Sequence, residues 1–230
     1  MLKSVRTLLG DTMNASEDVH IIDDDSSIRR VLANTLSSVK IKSHAYGTAA
    51  EFLESGPHIG GCVIMDVRLP DMDGICLVET LRKQNFDLPI LVVTGYADID
   101  LAVRAMKAGA VDFLAKPFSN DTFLEKVGNC LAIERARARI HTRRRNAAER
   151  LSSLSGRESQ VLRLVIGGKQ NKCIAWDLGI SIKTVEVHRA HIMEKTGAAT
   201  IVDLARMWEI AGMGAADEDA AMPLSLALGA

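Results

Sequence analysis

The sequence predicts an α/β domain built on a parallel sheet, joined by a long helix to an all-α domain that carries a helix-turn-helix. Three observations lead there. Short apolar runs alternate with amphipathic stretches through the first half. An arginine-rich stretch without proline follows. The last third then sets short helical patterns on either side of a Gly179-Ile180-Ser181 turn.

In chain order, residues 19–22, 62–65 and 90–93 are β-rich runs of four, each closed by a polar or glycine-bearing turn, the pattern of strands buried on both faces. Helical patterns lie between and after them at 27–38, 49–54, 76–83 and 98–108. In the last of these, Ile99, Ala102, Val103 and Met106 are spaced for one buried face. A further short element, Val111 to Leu114, precedes Lys116-Pro117-Phe118. Alternation of this kind implies right-handed crossovers and an open sheet covered on both faces, whose ligands collect beyond the carboxyl ends of the strands.

From about residue 121 to 154 there is no proline and one glycine, Gly128, so a single helix can run through Arg135, Arg137, Arg139, Arg143, Arg144, Arg145 and Arg150. Such a stretch reads either as a solvated interdomain helix or as an arm that contacts phosphates. Beyond it, Ser155 with Glu158 three places on forms a capping pattern. The apolar run 161–166 stops at Gly167-Gly168, and helical patterns at 171–178 and 182–195 flank the glycine turn. The expected layout is a leader (1–16), an α/β domain (17–134), a helical linker (135–153), a helix-turn-helix domain (154–212) and a disordered, acidic tail (213–230).

The composition narrows the function classes. With 230 residues, 47% hydrophobic and 25% charged, the chain suits two ordinary domains, and 4% aromatic content puts the cores on aliphatic packing. No apolar run approaches the ~20 residues of a membrane span, and the start lacks a secretory pattern, so a cytoplasmic location is expected. Cys62, Cys76, Cys130 and Cys173 show no metal-ligand spacing and read as reduced thiols. Residues 1–133 carry 13 Lys and Arg against 18 Asp and Glu, whereas 134–230 carry 15 against 11, although that half ends in Asp217-Glu218-Asp219. An acidic half and a basic half point to two tasks.

The acidic half ends its strands in chemistry: Asp23-Asp24-Asp25, Asp66, Thr94 and, on the last element, Lys116. Carboxylates gathered at one rim tolerate one another with a hard cation, and Mg²⁺ suits a few carboxylates plus water. A metal, an ammonium, a hydroxyl and an in-line carboxylate together make up a phosphoryl-transfer set. Each residue alone would pass for a cap, a turn or a surface charge; their ordered recurrence would not.

The segments IIDDD, VIMDVRLPDMDG, LVVTGYAD and AVRAMKAGAVDFLAKPF resemble the receiver domain of bacterial two-component response regulators over about residues 17–134. The resemblance implies a flavodoxin-like, five-stranded parallel sheet. It makes Asp66 the phosphoacceptor, with Asp23, Asp24, Asp66 and the backbone carbonyl of Arg68 holding Mg²⁺. Thr94 and Lys116 would bind the phosphoryl group, and Asp25 would not be a direct ligand. A cis peptide before Pro117 would aim Lys116 inward. Phe113 would either switch with Thr94 or serve as core. Val103, Arg104, Lys107 and Val111 would pair two receivers. A sensor histidine kinase is the implied phosphate source, with self-catalysed phosphotransfer and autodephosphorylation and no other enzyme activity.

The stretch from Leu154 through KTVEVHRA to about residue 212 resembles the LuxR-type helix-turn-helix of the FixJ/NarL class. Val185, His188 and Ile192 fall on one helical face and would enter the core. Lys172, Lys183, Thr184, Arg189 and His191 would reach phosphates, and Glu186, Val187 and Ala190 would read bases in a major groove. Some relatives carry lysine at the positions of Glu186 and Ala190. The implied function is a phosphorylation-activated transcriptional regulator that dimerises and binds double-stranded DNA, with RNA polymerase as a further partner. The alternatives are a DNA-binding regulator indifferent to phosphate and a metal-dependent hydrolase with an Asp66 nucleophile. The second would carry D-x-D where this chain has Asp66-Val67-Arg68, and no phosphate-binding G-x-x-x-x-G-K-[ST] loop occurs.

Overall fold

The structure, a computed structural model of the chain, describes residues 18–56, 60–95 and 99–213. The expected leader and residues 214–230 of the expected tail lie outside them. The chain divides into two compact units, one up to Ala138 and one from Arg139.

The first unit holds five parallel strands: β1 (Val19–Ile22), β2 (Ser43–Tyr46), β3 (Cys62–Met65), β4 (Ile90–Thr94) and β5 (Asp112–Ala115), in the order β2-β1-β3-β4-β5. Its helices are α1 (Ser26–Ser38), α2 (Ala49–Glu54), α3 (Gly74–Lys83), α4 (Ile99–Ala108) and the start of α5 (Asn120–Ser152). Side chains alternate across the sheet. Val19, Ile21, Ile64, Leu91 and Val93 meet Leu32, Leu36, Phe123, Val127 and Leu131 of α1 and α5. Ile22, Val63, Met65, Ile90 and Val92 meet Phe52, Leu77, Val78, Leu81 and Ala105 of α2, α3 and α4. With both faces covered, β1, β3 and β4 are buried along their length, which is why they read as mostly apolar runs, with His20 inside β1 and Thr94 closing β4.

Two features differ from the sequence reading. The strand β2, Ser-His-Ala-Tyr, stands at the sheet edge, half-buried, and lacks the apolar run that marked the others. On α4 the expected buried face is turned out: Ile99 is 82% exposed, Val103 45% and Met106 47%, while Ala105 is buried. Leu101, Ala105 and Ala108 face the core instead. They too stand at helical spacing, and the alanines let the helix approach the sheet closely.

In the second unit α6 (Gly156–Ile166), α7 (Asn171–Leu178), α8 (Ile182–Thr196) and α9 (Ile201–Ile210) enclose Val161, Leu162, Ile174, Val185, Ile192, Leu204 and Trp208, with Leu151 from the end of α5. The helix α5 runs 33 residues without a break through the arginine-rich stretch. The caps follow the sequence, with complete capping boxes at Ser155/Glu158 and Thr200/Asp203. The four cysteines are free thiols, and burial pushes the Cys130 thiol up to about 12. Among the described residues no helix is long and apolar enough to cross a membrane.

Candidate phosphorylation site and nucleic-acid interface

The parallel sheet brings the ends of β1, β3, β4 and β5 to one rim, and the acidic cluster forms there. Carboxylate oxygens of Asp23, Asp24 and Asp66 lie within 4.8 Å of one another. Asp23 is 2% exposed and Asp66 9%, whereas Asp24 opens to solvent. The Lys116-Pro117 peptide is cis. Lys116 Nζ donates to Asp23 Oδ2 at 2.7 Å and to Asp66 Oδ2 at 2.8 Å. The other oxygens of these two carboxylates accept from backbone, Asp23 Oδ1 from Asp25 N at 2.9 Å and Asp66 Oδ1 from Arg68 N at 3.3 Å. Asp25 caps α1 by accepting from Ser27 N and Ile28 N. Thr94 is buried at the end of β4, and its carbonyl accepts from Lys116 N at 2.8 Å.

Burial raises the Asp23 carboxyl above its ordinary value, and the Lys116 hydrogen bond only partly offsets that. Burial also works against the charge on Lys116, but its bonds to Asp23 and Asp66 outweigh it, and the ammonium is held above its usual range. The Lys116 ammonium thus bonds two of the three clustered carboxylates. The remaining negative charge, the all-oxygen donor set and the opening at Asp24 suit a hard divalent ion.

Of the other expected positions, Phe113 is half-buried against the core on the α3/α4 side. Val103, Arg104 and Lys107 are exposed on α4, and Val111 is half-buried at the start of β5.

In the second unit α7, a turn through Gly179 (φ 63°) and α8 make the helix-turn-helix. Ser181 caps α8 by accepting from Thr184 N at 3.0 Å. Lys183, Glu186, Val187, Ala190 and His191 are exposed along α8, and Lys172 is exposed on α7. Three expected phosphate contacts have partners inside the unit: Thr184 Oγ1 lies 2.8 Å from Ser181 Oγ, Arg189 donates to Asn171 Oδ1 at 2.8 Å, and His191 Nδ1 lies 3.8 Å from Glu158 Oε1. Val185 and Ile192 are core, while the His188 ring between them is half-buried with Nδ1 enclosed and unbonded.

Comparison with known proteins accounts for both units. The response regulator receiver domain matches residues 19–128, and the luxR family of bacterial regulatory proteins matches 152–208. The transcriptional regulatory protein FixJ of Azorhizobium caulinodans is 41% identical over 207 residues, covering 90% of this chain and 98% of that protein. Nodulation protein W of Bradyrhizobium diazoefficiens is 41% identical over 200 residues, 86% and 87% of the two chains. Among solved structures, the response regulator StyR superposes with a TM-score of 0.77 at 39% identity, covering 85% of this chain and 99% of that one. Full-length FixJ from B. japonicum gives 0.53 at 38% identity, over 87% and 99%. The chain belongs to the response regulators with a LuxR-type DNA-binding domain.

Three supports of this regulator rest on contacts the sequence does not display, because each depends on a distant partner or a side-chain reach. Arg29 Nη1 donates to the carbonyls of Asp23 (2.6 Å) and Asp24 (3.0 Å), fixing the turn that carries both acids. Gly74 opens α3 directly under Asp66, and a Cβ there would stand 2.4 Å from the Asp66 carbonyl oxygen. The backbone cannot yield without moving the end of β3. Gly74→Ala is therefore expected to cost about 2 kcal/mol and to slow phosphate uptake by about tenfold. Urea midpoints by circular dichroism and labelling rates by mass spectrometry check this; wild-type values for both would show that the rim absorbs the methyl.

The third support is Glu158, buried in the regulator's second unit. It accepts from Lys195 at 2.7 and 3.0 Å and from Ser155 N at 2.7 Å, tying the start of α6 to the end of α8. Lys195 first, then the Ser155 backbone, pull its carboxyl down to about 2. A depressed carboxylate stabilises the fold fully above its ordinary value and loses that contribution as pH falls towards 2. Glu158→Gln should lose about 1–2 kcal/mol at neutral pH and show a shallower acid limb. Both tryptophans, Trp176 and Trp208, lie in this unit, so their fluorescence in urea at several pH values reads it selectively. Parallel acid limbs in the two proteins would contradict the assignment.

Proposed function

We propose that this phosphorylation-activated, DNA-binding transcriptional regulator accepts its phosphate on Asp66. The observation that carries the reading is the single ammonium of Lys116 bonded at once to Asp23 and Asp66 at the rim of the sheet. An Asp66 oxygen attacks the phosphorus of a phosphohistidine on a sensor histidine kinase; the P–N bond breaks and the imidazole leaves, taking up a proton. Lys116 then neutralises phosphoryl oxygens, and the Thr94 hydroxyl donates to one of them. Attack of water on the acyl phosphate later returns inorganic phosphate and the free carboxylate. Asp23, Asp24, Asp66 and the Arg68 carbonyl would hold Mg²⁺, which when bound supplies positive charge for the phosphoryl oxygens.

Movement of Thr94 towards the new anion, with Phe113 following, biases a pre-existing two-state equilibrium. Two receivers then pair through Val103, Arg104, Lys107 and Val111, and the dimer sets two helix-turn-helix units on a two-fold operator in cytoplasmic DNA. Lys172 and Lys183 contact phosphates, with Thr184, Arg189 and His191 doing so after leaving their internal partners. Glu186 accepts from a cytosine amino group, while Val187 and Ala190 meet thymine methyls. RNA polymerase is the partner that reads the bound dimer. The hydrolase alternative has no support in the luxR match.

Incubation with acetyl phosphate, with and without Mg²⁺, should place an acid-labile phosphate on Asp66 only when Mg²⁺ is present. Selection from random duplex should then yield a two-fold sequence. Label on another side chain would overturn the site, and failure to select any sequence would overturn the DNA reading.

A further inference from the structure

The two tryptophans of the second unit stand in opposite surroundings: Trp208 is 8% exposed in the core, whereas Trp176 on α7 is 87% exposed. The buried face of α7 is supplied by Ile174 and Ala175, so packing of the unit makes no use of the indole. Trp176 borders an open groove of about 650 Å³, shared with Lys172 on α7, Ile180 and Ser181 in the turn, and Ile182 at the start of α8. Lys172 and Trp176 are four residues apart and occupy one side of their helix. Ile182 is exposed next to Lys183, the first of the α8 residues set to meet DNA. The groove therefore continues the DNA-facing side of α8. The one carboxylate on α7, Asp177, is held by Lys169 Nζ at 2.7 Å, which leaves the Lys172 charge on this face unopposed from within the helix.

An indole joins two chemistries, apolar faces and a single N–H donor on one edge. The backbone of a DNA strand offers the matching pair, with deoxyribose carbons between phosphate oxygens. Exposed tryptophans also anchor protein partners. Here an ammonium one turn away and continuity with α8 favour the phosphate-bearing strand, which Lys172 and Lys183 already bracket.

We propose that this face of α7 is a second seat on DNA, taking the sugar-phosphate backbone of the strand beside the major groove that α8 enters. The Trp176 Nε1–H donates to a phosphate oxygen that Lys172 also approaches, while the indole face and Ile182 cover deoxyribose carbons. The assignment rests on the reading of α8 as the helix in the groove. Contacts of this kind carry no base information; they add affinity and fix the angle at which α7 and α8 meet the duplex. The indole is neutral, so its contact releases no counterion, unlike that of Lys172.

Acrylamide quenching of tryptophan emission tests this on the full regulator, treated with acetyl phosphate and Mg²⁺, with and without a short duplex of random sequence at low salt. Trp176→Phe, in which Trp208 alone emits, supplies the background. On binding, the quenchable emission of Trp176 should disappear. Trp176→Ala should weaken random and selected duplexes alike, by about tenfold. Its urea midpoint and its slope of affinity against salt should match wild type, whereas Lys172→Ala should reduce that slope by about 1. Trp176→Phe keeps an apolar ring without the donor and should fall between Trp176→Ala and wild type. Emission of Trp176 that is equally quenchable in the bound complex, or wild-type affinity in Trp176→Ala, overturns the proposal and leaves the face to a protein bound alongside. Wild type that binds no duplex overturns the DNA reading, and this seat with it.

Discussion

In Asp66→Asn, neither acetyl phosphate nor a phosphorylated histidine kinase is expected to add phosphate, and the protein should sediment identically with and without donor. The amide has no negative oxygen with which to attack phosphorus, and no other carboxylate at the rim is placed alike: Asp23 is 2% exposed, with both oxygens bonded, and Asp24 opens to solvent. The substitution is not expected to act through unfolding. Asp66 raises the Asp23 carboxyl by like-charge repulsion, so neutralising it relieves strain in a cluster with a single nearby ammonium. Its thermal midpoint should equal or exceed that of wild type. Donor-driven dimerisation in the variant, seen by sedimentation velocity, would remove Asp66 from the mechanism.

Lys116→Met should slow phosphate uptake by about 10²-fold, the usual loss when a charged donor facing a developing anion is removed. The methionine keeps the length and apolar stem of the side chain but drops both bonds, at 2.7 and 2.8 Å, leaving Asp23 and Asp66 buried without their cation. A second readout separates this from simple misfolding. Asp23 is already raised by burial, and losing Lys116 raises it further. A folded-state value above the unfolded one means that the folded protein binds more protons, so stability falls as pH rises through that window. Without divalent metal the variant should therefore regain stability on acidification more steeply than wild type, in urea melts followed by circular dichroism. Labelling rates within threefold of wild type, or parallel pH profiles, would refute the role given to Lys116.

The clustered residues were legible in the sequence because each is local to a strand end. Asp23, Asp24, Asp66, Thr94 and Lys116 each close a short run, and a parallel sheet delivers all such ends to one rim. The runs of β1, β3 and β4 were readable since burial on both faces leaves few polar positions in them, His20 and Thr94 alone. The edge strand β2 carries no such mark. The α4 stripe misled for the opposite reason: Ile99, Val103 and Met106 and the set Leu101, Ala105 and Ala108 both obey helical spacing. Only the depth available above the sheet selects the smaller set.

From the residues themselves came the order of the elements other than β2, the caps, the acidic cluster and the two kinds of domain, all of which depend on neighbours within a few positions. Tertiary structure alone decided which face of α4 meets water, that Arg29 and Gly74 hold the rim, and that Glu158 reaches Lys195. Those outcomes bring together groups many residues apart, where close packing and charge pairing act between side chains that local periodicity does not connect.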